Sequence, residues 1–332
     1  MILIGGSGST GSSLLQNILN RHADIFAGPE TRLFIYPHLF DNWNKYKKRL
    51  NGDTFLTIRS RGWSMRGRAD LLQKSFKWEK ADLVDILKHT QSINEFSEAF
   101  FKPALKAKKA KIWIEKTPQN ACSFYTFLNH YPKGKVVQTL RNPYDVMASL
   151  LARGFNAYEA AGYFIYHTCA AASNSESDRY FQIHYEDLVQ NPASTIEALL
   201  SFLELPYDAS ILYPTDSDMS NPLKLKGWNH SERGKIAKSS VGRFQKLDEN
   251  ARNEIICALN SFKISERHIK RNLFKFSTFK EICIHYNYEY LDIDTKPYQN
   301  RLKNYHKQDI WIRTRKLHPT HAFYYPGDLD FG

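Results

Sequence analysis

Met1-Ile2-Leu3-Ile4-Gly5 opens the chain as a short apolar run that ends in glycine. An uninterrupted run of this length suits a strand buried on both faces, as in a parallel sheet, better than it suits a helix. The turn behind it, Gly5-Gly6-Ser7-Gly8-Ser9-Thr10-Gly11, is rich in glycine, and Leu14, Leu15, Ile18 and Leu19 then recur at helical spacing up to Asn20-Arg21. That spacing predicts an amphipathic helix. Ile25-Phe26-Ala27-Gly28 reads as a second strand. Strand, glycine turn, helix and strand in close succession make a βαβ unit, which commits the chain to a parallel sheet with a right-handed crossover.

The pattern continues. Lys111-Ile112-Trp113-Ile114-Glu115, Lys135-Val136-Val137-Gln138-Thr139-Leu140 and Arg179-Tyr180-Phe181-Gln182-Ile183-His184-Tyr185 read as strands, with helical patterns around 120–130, 144–152, 158–173 and 192–203. The expected fold class is α/β, a central parallel sheet flanked by helices. Residues 31–110 are rich in aromatic and basic side chains with few strand signals, so they read as a helical insertion, either ordinary packing or a cap over an acceptor. Residues 1–260 are expected to form one domain. Residues 261–332, basic, aromatic and irregular up to Tyr324-Tyr325-Pro326-Gly327-Asp328, are read as a C-terminal extension packed on it.

A chain of 332 residues that is 42% hydrophobic can bury a sizeable core. Its net charge of +12 favours an acidic partner such as a phosphorylated nucleotide, an anionic glycan or nucleic acid. The basic residues are spread over Lys45 to Arg49, Arg59 to Arg68, Lys102 to Lys116, Lys224 to Lys246 and Arg301 to Lys316, and any one of these clusters reads equally as a solvated face. No recognised nucleic-acid module accompanies them, so nucleic acid is set aside as a partner. Cys122, Cys169, Cys257 and Cys283 are far apart with no C-x-x-C pair, and the histidines show no metal-ligand spacing. A zinc site and a disulfide framework are therefore not expected, and a reducing compartment is. No apolar stretch approaches the ~18 residues of a membrane span and no signal-peptide pattern is present, so the expectation is a soluble, cytoplasmic protein without a membrane span.

The glycine turn lies where backbone N–H groups and a helix N-terminus can converge on an anion. Gly6 to Ser13 has the spacing G-x-x-x-x-G-S-S, close to a P-loop, except that Ser12 stands where an ATP enzyme carries its lysine. A donor with a single 5'-phosphate bearing sulfate needs neither that lysine nor magnesium. Arg141 follows a strand and precedes Asn142-Pro143, where proline is suited to begin a helix, so its side chain is expected at the C-terminal edge of the sheet, where open α/β sheets bind ligands. Ser149 and Arg153 are four apart and are expected to share one helix face.

Gly6-Ser7-Gly8-Ser9-Thr10-Gly11-Ser12-Ser13-Leu14-Leu15 resembles the 5'-phosphosulfate loop of sulfotransferases that use 3'-phosphoadenylyl sulfate (PAPS), commonly written G-x-P-R-S-G-T-T-L-L. Gly28-Pro29-Glu30-Thr31-Arg32, Glu115-Lys116-Thr117-Pro118, and Leu140 to Val146 running on to Ser149 and Arg153 resemble segments of the tyrosylprotein sulfotransferase-like branch and its bacterial relatives, in the same order and spacing. The resemblance covers roughly residues 1–35 and 110–250. It departs at Ser9, where the family usually carries Arg or Lys, a basic group that helps neutralise the sulfuryl oxygens.

The resemblance implies a P-loop-containing fold and transfer of a sulfuryl group from PAPS to a hydroxyl acceptor, whether glycan, lipid, small alcohol or tyrosine, and the charge leaves room for an anionic one. The spent donor is adenosine 3',5'-bisphosphate (PAP), and no metal is required. Glu30 is implied as general base and Lys116 as the cation on the sulfuryl group and departing phosphate. Ser9, Thr10, Gly11, Ser12 and Ser13 are implied to cradle the donor's 5' end, and Arg141, Ser149 and Arg153 to bind its 3'-phosphate. Tyr185, in Tyr185-Glu186-Asp187-Leu188, is implied to lie near the nucleotide. Lys238-Ser239-Ser240-Val241-Gly242-Arg243-Phe244 resembles the late loop R-K-G-x-x-G-D-W that closes on the 3'-phosphate, which brings in Lys238 and Ser239.

Plainer readings stand beside these. Glu30 can be an N-cap or pair with Arg32, Lys116 a strand-end lysine in water, Arg141 a surface arginine paired with Asp145, and Tyr185 a packing residue between sheet and helix. The competing functions are an ATP-dependent P-loop kinase and a non-catalytic nucleotide-binding relative.

Overall fold

The strands alternate their apolar side chains between two covered faces, and this alternation builds the fold. In the computed structural model of the chain, the described residues are 1–50, 69–214, 235–272, 274–314 and 327–331. The basic run from Arg59 to Arg68, residues 224–234 of a further cluster, and Tyr324-Tyr325-Pro326 lie outside them. Strands β1 (Ile2–Gly6), β2 (Ile25–Ala27), β3 (Ile112–Lys116), β4 (Lys135–Leu140) and β5 (Tyr180–His184) form a five-stranded sheet in the order β2-β3-β1-β4-β5. All four pairings are parallel, with Ile2 opposite Ile114 on one side and Lys135 on the other.

Ile2, Ile4, Ile114, Val137 and Ile183 point to one face, where α1 (Ser12–Arg21) brings Leu15, Ile18 and Leu19 and α11 (Pro192–Phe202) brings Ile196, Leu199 and Leu200. Leu3, Trp113 and Val136 point to the other. That second face is covered by α7 (Phe124–His130) and by the described part of the segment between β2 and β3, which holds α2 (His38–Asp41), α3 (Trp43–Leu50), α4 (Ala69–Phe76), α5 (Lys80–His89) and α6 (Ile93–Lys108). The described part of the insertion is thus largely helical. Trp113 is stacked between Phe101, with centroids 4.3 Å apart, and Phe34, at 5.7 Å, so the aromatic residues there are core.

A third cluster gathers around α8 (Pro143–Ala152) and α9 (Ala157–Ala172), ahead of α10 (Tyr185–Gln190). Helix Glu249–Ser261 precedes the part of the chain read as irregular, whose described residues are largely helical, with helices Glu266–Asn272, Phe279–Tyr286 and Lys296–Thr314 and a small antiparallel pair, β6 (Phe262–Ile264) with β7 (Gly327–Leu329). Its helices hide their signal. Helix Lys296–Thr314 has Leu302 as its buried residue among those described, flanked by half-buried Tyr298 and Tyr305, so its apolar stripe is sparse. Helix Phe279–Tyr286 is held by a capping box between Thr278 and Glu281. Among the described residues no helix is long and apolar enough to cross a membrane.

In this sheet the strand order reverses beside β1, and the crevice at such a switch point opens at the C-terminal ends of the strands.

Candidate active site

Each strand of the sheet delivers one candidate group to that edge. β1 runs into the glycine loop and Glu30 follows β2 by a short turn. Lys116 ends β3, Arg141 follows β4, and Tyr185 follows β5. The loop turns at Ser9, whose φ is 68°, and at Gly11, the N-cap of α1, whose φ is 84°. A Cβ on Gly11 would also lie 2.4 Å from Cδ2 of Tyr185, so both conformation and space require glycine there. No side chain caps α1 and its first turn holds no acidic residue, so its first N–H groups, at Ser12 and Ser13, are arranged as an anion would require. The Thr10 hydroxyl is turned inward, donating to the Ser7 carbonyl at 2.7 Å and sharing a bond with the Thr139 hydroxyl at 2.7 Å. It shapes the loop rather than facing a guest. Ser12 is buried as well.

Lys116 and Glu30 meet at the loop. The Lys116 ammonium donates to Glu30 Oε1 at 2.5 Å and to the Ser13 hydroxyl at 3.1 Å, and the lysine is 3% exposed. Glu30 therefore pairs with Lys116 rather than acting as an N-cap, and Lys116 is no strand-end lysine in water. Two neighbours set the glutamate in place. Gln16 of α1 donates to the Gly28 carbonyl, and the buried carboxylate of Glu115 accepts from the Thr31 N–H at 2.8 Å and the Thr31 hydroxyl at 3.0 Å. Glu115 also accepts from Thr117 at 2.8 Å and from Asn120, so its charge is met by four donors. Sequence reasoning passed over Glu115, although a carboxylate inside the apolar run Ile112-Trp113-Ile114 followed by Thr117 and Asn120 signals a buried acceptor.

Arg141 marks the other end. It is 4% exposed, stacks over the Tyr185 ring at 4.9 Å, donates to the Ser9 carbonyl at 3.0 Å and the Ser240 carbonyl, and sits 3.5 Å from Asp145. The pairing with Asp145 exists but is buried, not superficial. Its Nε is buried without a partner. Burial pushes the guanidinium below its ordinary pKa and Asp145 opposes this, while nearby Arg243 adds to the lowering. Such a cluster is short of negative charge. Arg153 is the residue just past α8, not on its face, and reaches the Ser9 hydroxyl at 3.3 Å. The Ser149 hydroxyl accepts from Arg243 at 3.5 Å. Tyr185 lies beside the glycine loop, its hydroxyl donating to the Ala237 carbonyl at 3.3 Å. Lys238 and Ser239 are exposed on the late loop, which instead brings Ser240 and Arg243 to Arg141 and Ser149.

Tyr163 of α9 joins both ends. A Cβ on Gly8 would lie 2.9 Å from its ring, so the phenol packs directly on the loop. Burial raises its pKa, with the Glu30 charge adding to the rise and Arg153 and Arg32 opposing it. Those charges face one hydroxyl. Sequence reading gave no sign of Tyr163, because a tyrosine in an Ala-rich helix reads as packing.

The chain is 23% identical over 226 residues to a "Putative protein-tyrosine sulfotransferase" of Caenorhabditis briggsae, covering 64% of this chain and 68% of the relative. It is 22% identical over 229 residues to "Protein-tyrosine sulfotransferase 1" of Danio rerio, spanning 64% of this chain and 55% of that protein. Among solved structures, the "Sulfotransferase Domain from the Curacin Biosynthetic Pathway" matches with a TM-score of 0.55 at 19% identity, covering 88% of this chain and 98% of that one. The "Sulfotransferase Domain from the Synechococcus PCC 7002 Olefin Synthase" gives 0.50 at 20% identity, covering 75% and 88%. These likenesses show the fold, a central parallel sheet of the P-loop-containing class. The sequence model of the Sulfotransferase family matches residues 2–209, well over half of the 332-residue chain, and the chain belongs to the sulfotransferase family.

Proposed function

We propose that this sulfotransferase takes its sulfuryl group from PAPS and passes it to a hydroxyl acceptor, with Glu30 as general base and Lys116 as the cation on the transferred group. The observation that carries the reading is the placement of Lys116 Nζ between Glu30 Oε1 and the Ser13 hydroxyl, at the uncapped start of α1. The residues suit the donor at both ends. The glycine loop offers helix-start N–H groups to a 5'-phosphosulfate, and the Arg141 cluster offers guanidinium groups to a 3'-phosphate.

In this reading the acceptor oxygen attacks sulfur, a new O–S bond forms, and the S–O bond to the 5'-phosphate breaks with its electron pair leaving on PAP. The acceptor proton goes to the Glu30 carboxylate. Lys116 is shared: when it swings toward the phosphosulfate, its hold on Glu30 weakens and the carboxylate becomes available to the incoming hydroxyl. The curated relatives carry protein-tyrosine sulfotransferase in their names, so tyrosine stands beside glycan, lipid and small-alcohol hydroxyls as an acceptor to test.

Calorimetry without added metal tests the donor. PAP is expected to bind in the micromolar range and in preference to ADP, with clear weakening in Arg141→Ala. Preference for ADP with magnesium, or no nucleotide binding, overturns the reading in favour of a kinase or a non-nucleotide role.

A further inference from the structure

Glu115 and Lys116 are successive residues of β3, so their side chains leave opposite faces of the sheet. Lys116 faces α1, where it meets Ser13, and Glu115 lies on the face of Trp113, where it meets Thr31. The Glu115 carboxylate is 1% exposed, and its two oxygens divide their partners unevenly. Oε1 accepts from the Thr31 N–H at 2.8 Å, the Thr31 hydroxyl at 3.0 Å and the Thr117 hydroxyl at 2.8 Å, and Oε2 accepts from Asn120 Nδ2.

Thr31 directly follows Glu30, and Thr117 directly follows Lys116. One oxygen thus ties together the main chain behind both groups of the proposed reaction. The near side of the same turn is held by the bond from Gln16 to the Gly28 carbonyl. Arg32, on its far side, has a φ of 60°, a left-handed backbone that a residue with a Cβ disfavours and that surrounding bonds must hold. The anchoring matters because Glu30 is also bonded to the Lys116 ammonium, at 2.5 Å. A lysine that leaves for the phosphosulfate takes that bond away, and a base held by nothing else would relax out of place. Hydrogen bonds to a buried charged acceptor are among the stronger ones, and those from Thr31 act on the residue next to the base.

We propose that Glu115 is a positioning residue: it fixes Glu30 relative to β3 without the help of Lys116, so that the base keeps its place when the cation moves to the transferred group. It is buried behind the strand and acts through Thr31. The inference rests on the proposed role of Glu30 as base.

The test measures single-turnover release of PAP from PAPS, with N-acetyltyrosinamide as acceptor or with water where that phenol is refused, alongside calorimetric binding of PAP. Glu115→Ala and Glu115→Gln are compared with wild type, each alone and together with Glu30→Gln. Glu115→Ala is expected to slow transfer roughly ten- to hundredfold, the worth of displacing a positioned group, and to leave PAP affinity within about twofold. Glu115→Gln keeps an acceptor oxygen for Thr31 and can offer its amide to Oδ1 of Asn120, which is buried without a partner, so it should lose only roughly three- to tenfold. In the Glu30→Gln background neither substitution lowers the rate further, since a residue that acts through the base is silent once the base is gone. An unchanged rate, a parallel loss of rate and PAP affinity, or a full additional loss in the Glu30→Gln background overturns the assignment, the last two because Glu115 would then only stabilise the fold. Should the alanine variant fail to fold, the same readings on the glutamine variant decide. A wild type that releases no PAP, or a Glu30→Gln enzyme as fast as wild type, fails at the proposed donor or base and takes this inference with it.

Discussion

Lys116 holds Glu30 at 2.5 Å, so in the proposed mechanism the ammonium must release the carboxylate before it can meet the acceptor hydroxyl. In that mechanism donor and base are coupled through one side chain, and substitution at Glu30 is expected to separate their effects. Glu30→Gln keeps the size and a hydrogen-bonding end but cannot take a proton. The expected outcome is a fall in kcat of ~10²–10⁴ on whichever hydroxyl substrate the wild type accepts, the usual worth of a positioned base. PAP affinity should not fall, because removing the carboxylate leaves Lys116 free for the phosphate. Steady-state rates and PAP titration on the same preparation check this, and a glutamine variant with near-normal kcat excludes Glu30 as base. The residues at strand ends were legible in the sequence because a strand followed by a loop places them by itself. The roles of Glu115 and Tyr163, and the hold of Asp145 on the late loop, were not: they depend on partners such as Thr31, Gly8 and Phe244, which lie far away in the chain and meet them only after folding.

The glycine loop and the start of α10 form a wedge, an element-scale device that no single side chain explains. The Tyr185 ring fills the space a Cβ on Gly11 would occupy, and its other side carries the Arg141 guanidinium at 4.9 Å. Gly11→Ala therefore has two costs. A left-handed backbone carries roughly 1–2 kcal/mol of strain for a residue with a Cβ, and the ring must move, taking Arg141 with it. Urea denaturation should show a loss of about 2 kcal/mol, and PAP binding should weaken through the displaced arginine. Normal PAP affinity in a destabilised variant would show that Arg141 does not depend on the wedge. The parallel strands were readable for a related reason. Short apolar runs closed by glycine, as at Ile2–Gly6, carry their signal locally, while helix Lys296–Thr314 packs through Leu302 with half-buried Tyr298 and Tyr305 among many polar residues, a sparse stripe that is hard to read.

At the scale of the whole molecule, α9 is the post on which the parts meet. It is buried nearly all round, its run of alanines letting α8, the helices of 249–314 and β1 approach closely, and Tyr163 carries it onto the glycine loop. His167 sits inside this post at 1% exposure, with Nδ1 2.8 Å from the Tyr163 carbonyl. Burial lowers its pKa to about 4 from the ordinary 6.5, against a smaller opposing effect of that hydrogen bond. The sign follows from proton uptake. Between these values the unfolded chain binds a proton at this position and the folded chain does not, so stability rises with pH across the window. The contribution is complete above about pH 6.5 and is lost as pH falls toward 4, amounting to about 3 kcal/mol. His167→Gln, which cannot protonate, should flatten the dependence of unfolding free energy on pH between 6.5 and 4, because carboxylates titrating in the same range act equally in both proteins and cancel in the difference. Because α9 touches both the glycine loop and the C-terminal helices, PAP binding and helical circular dichroism should be lost together as the wild type is acidified at a fixed urea concentration. Parallel pH slopes in the two proteins would mean that His167 is charged in the folded state, and separate transitions would mean that α9 does not unite the two parts.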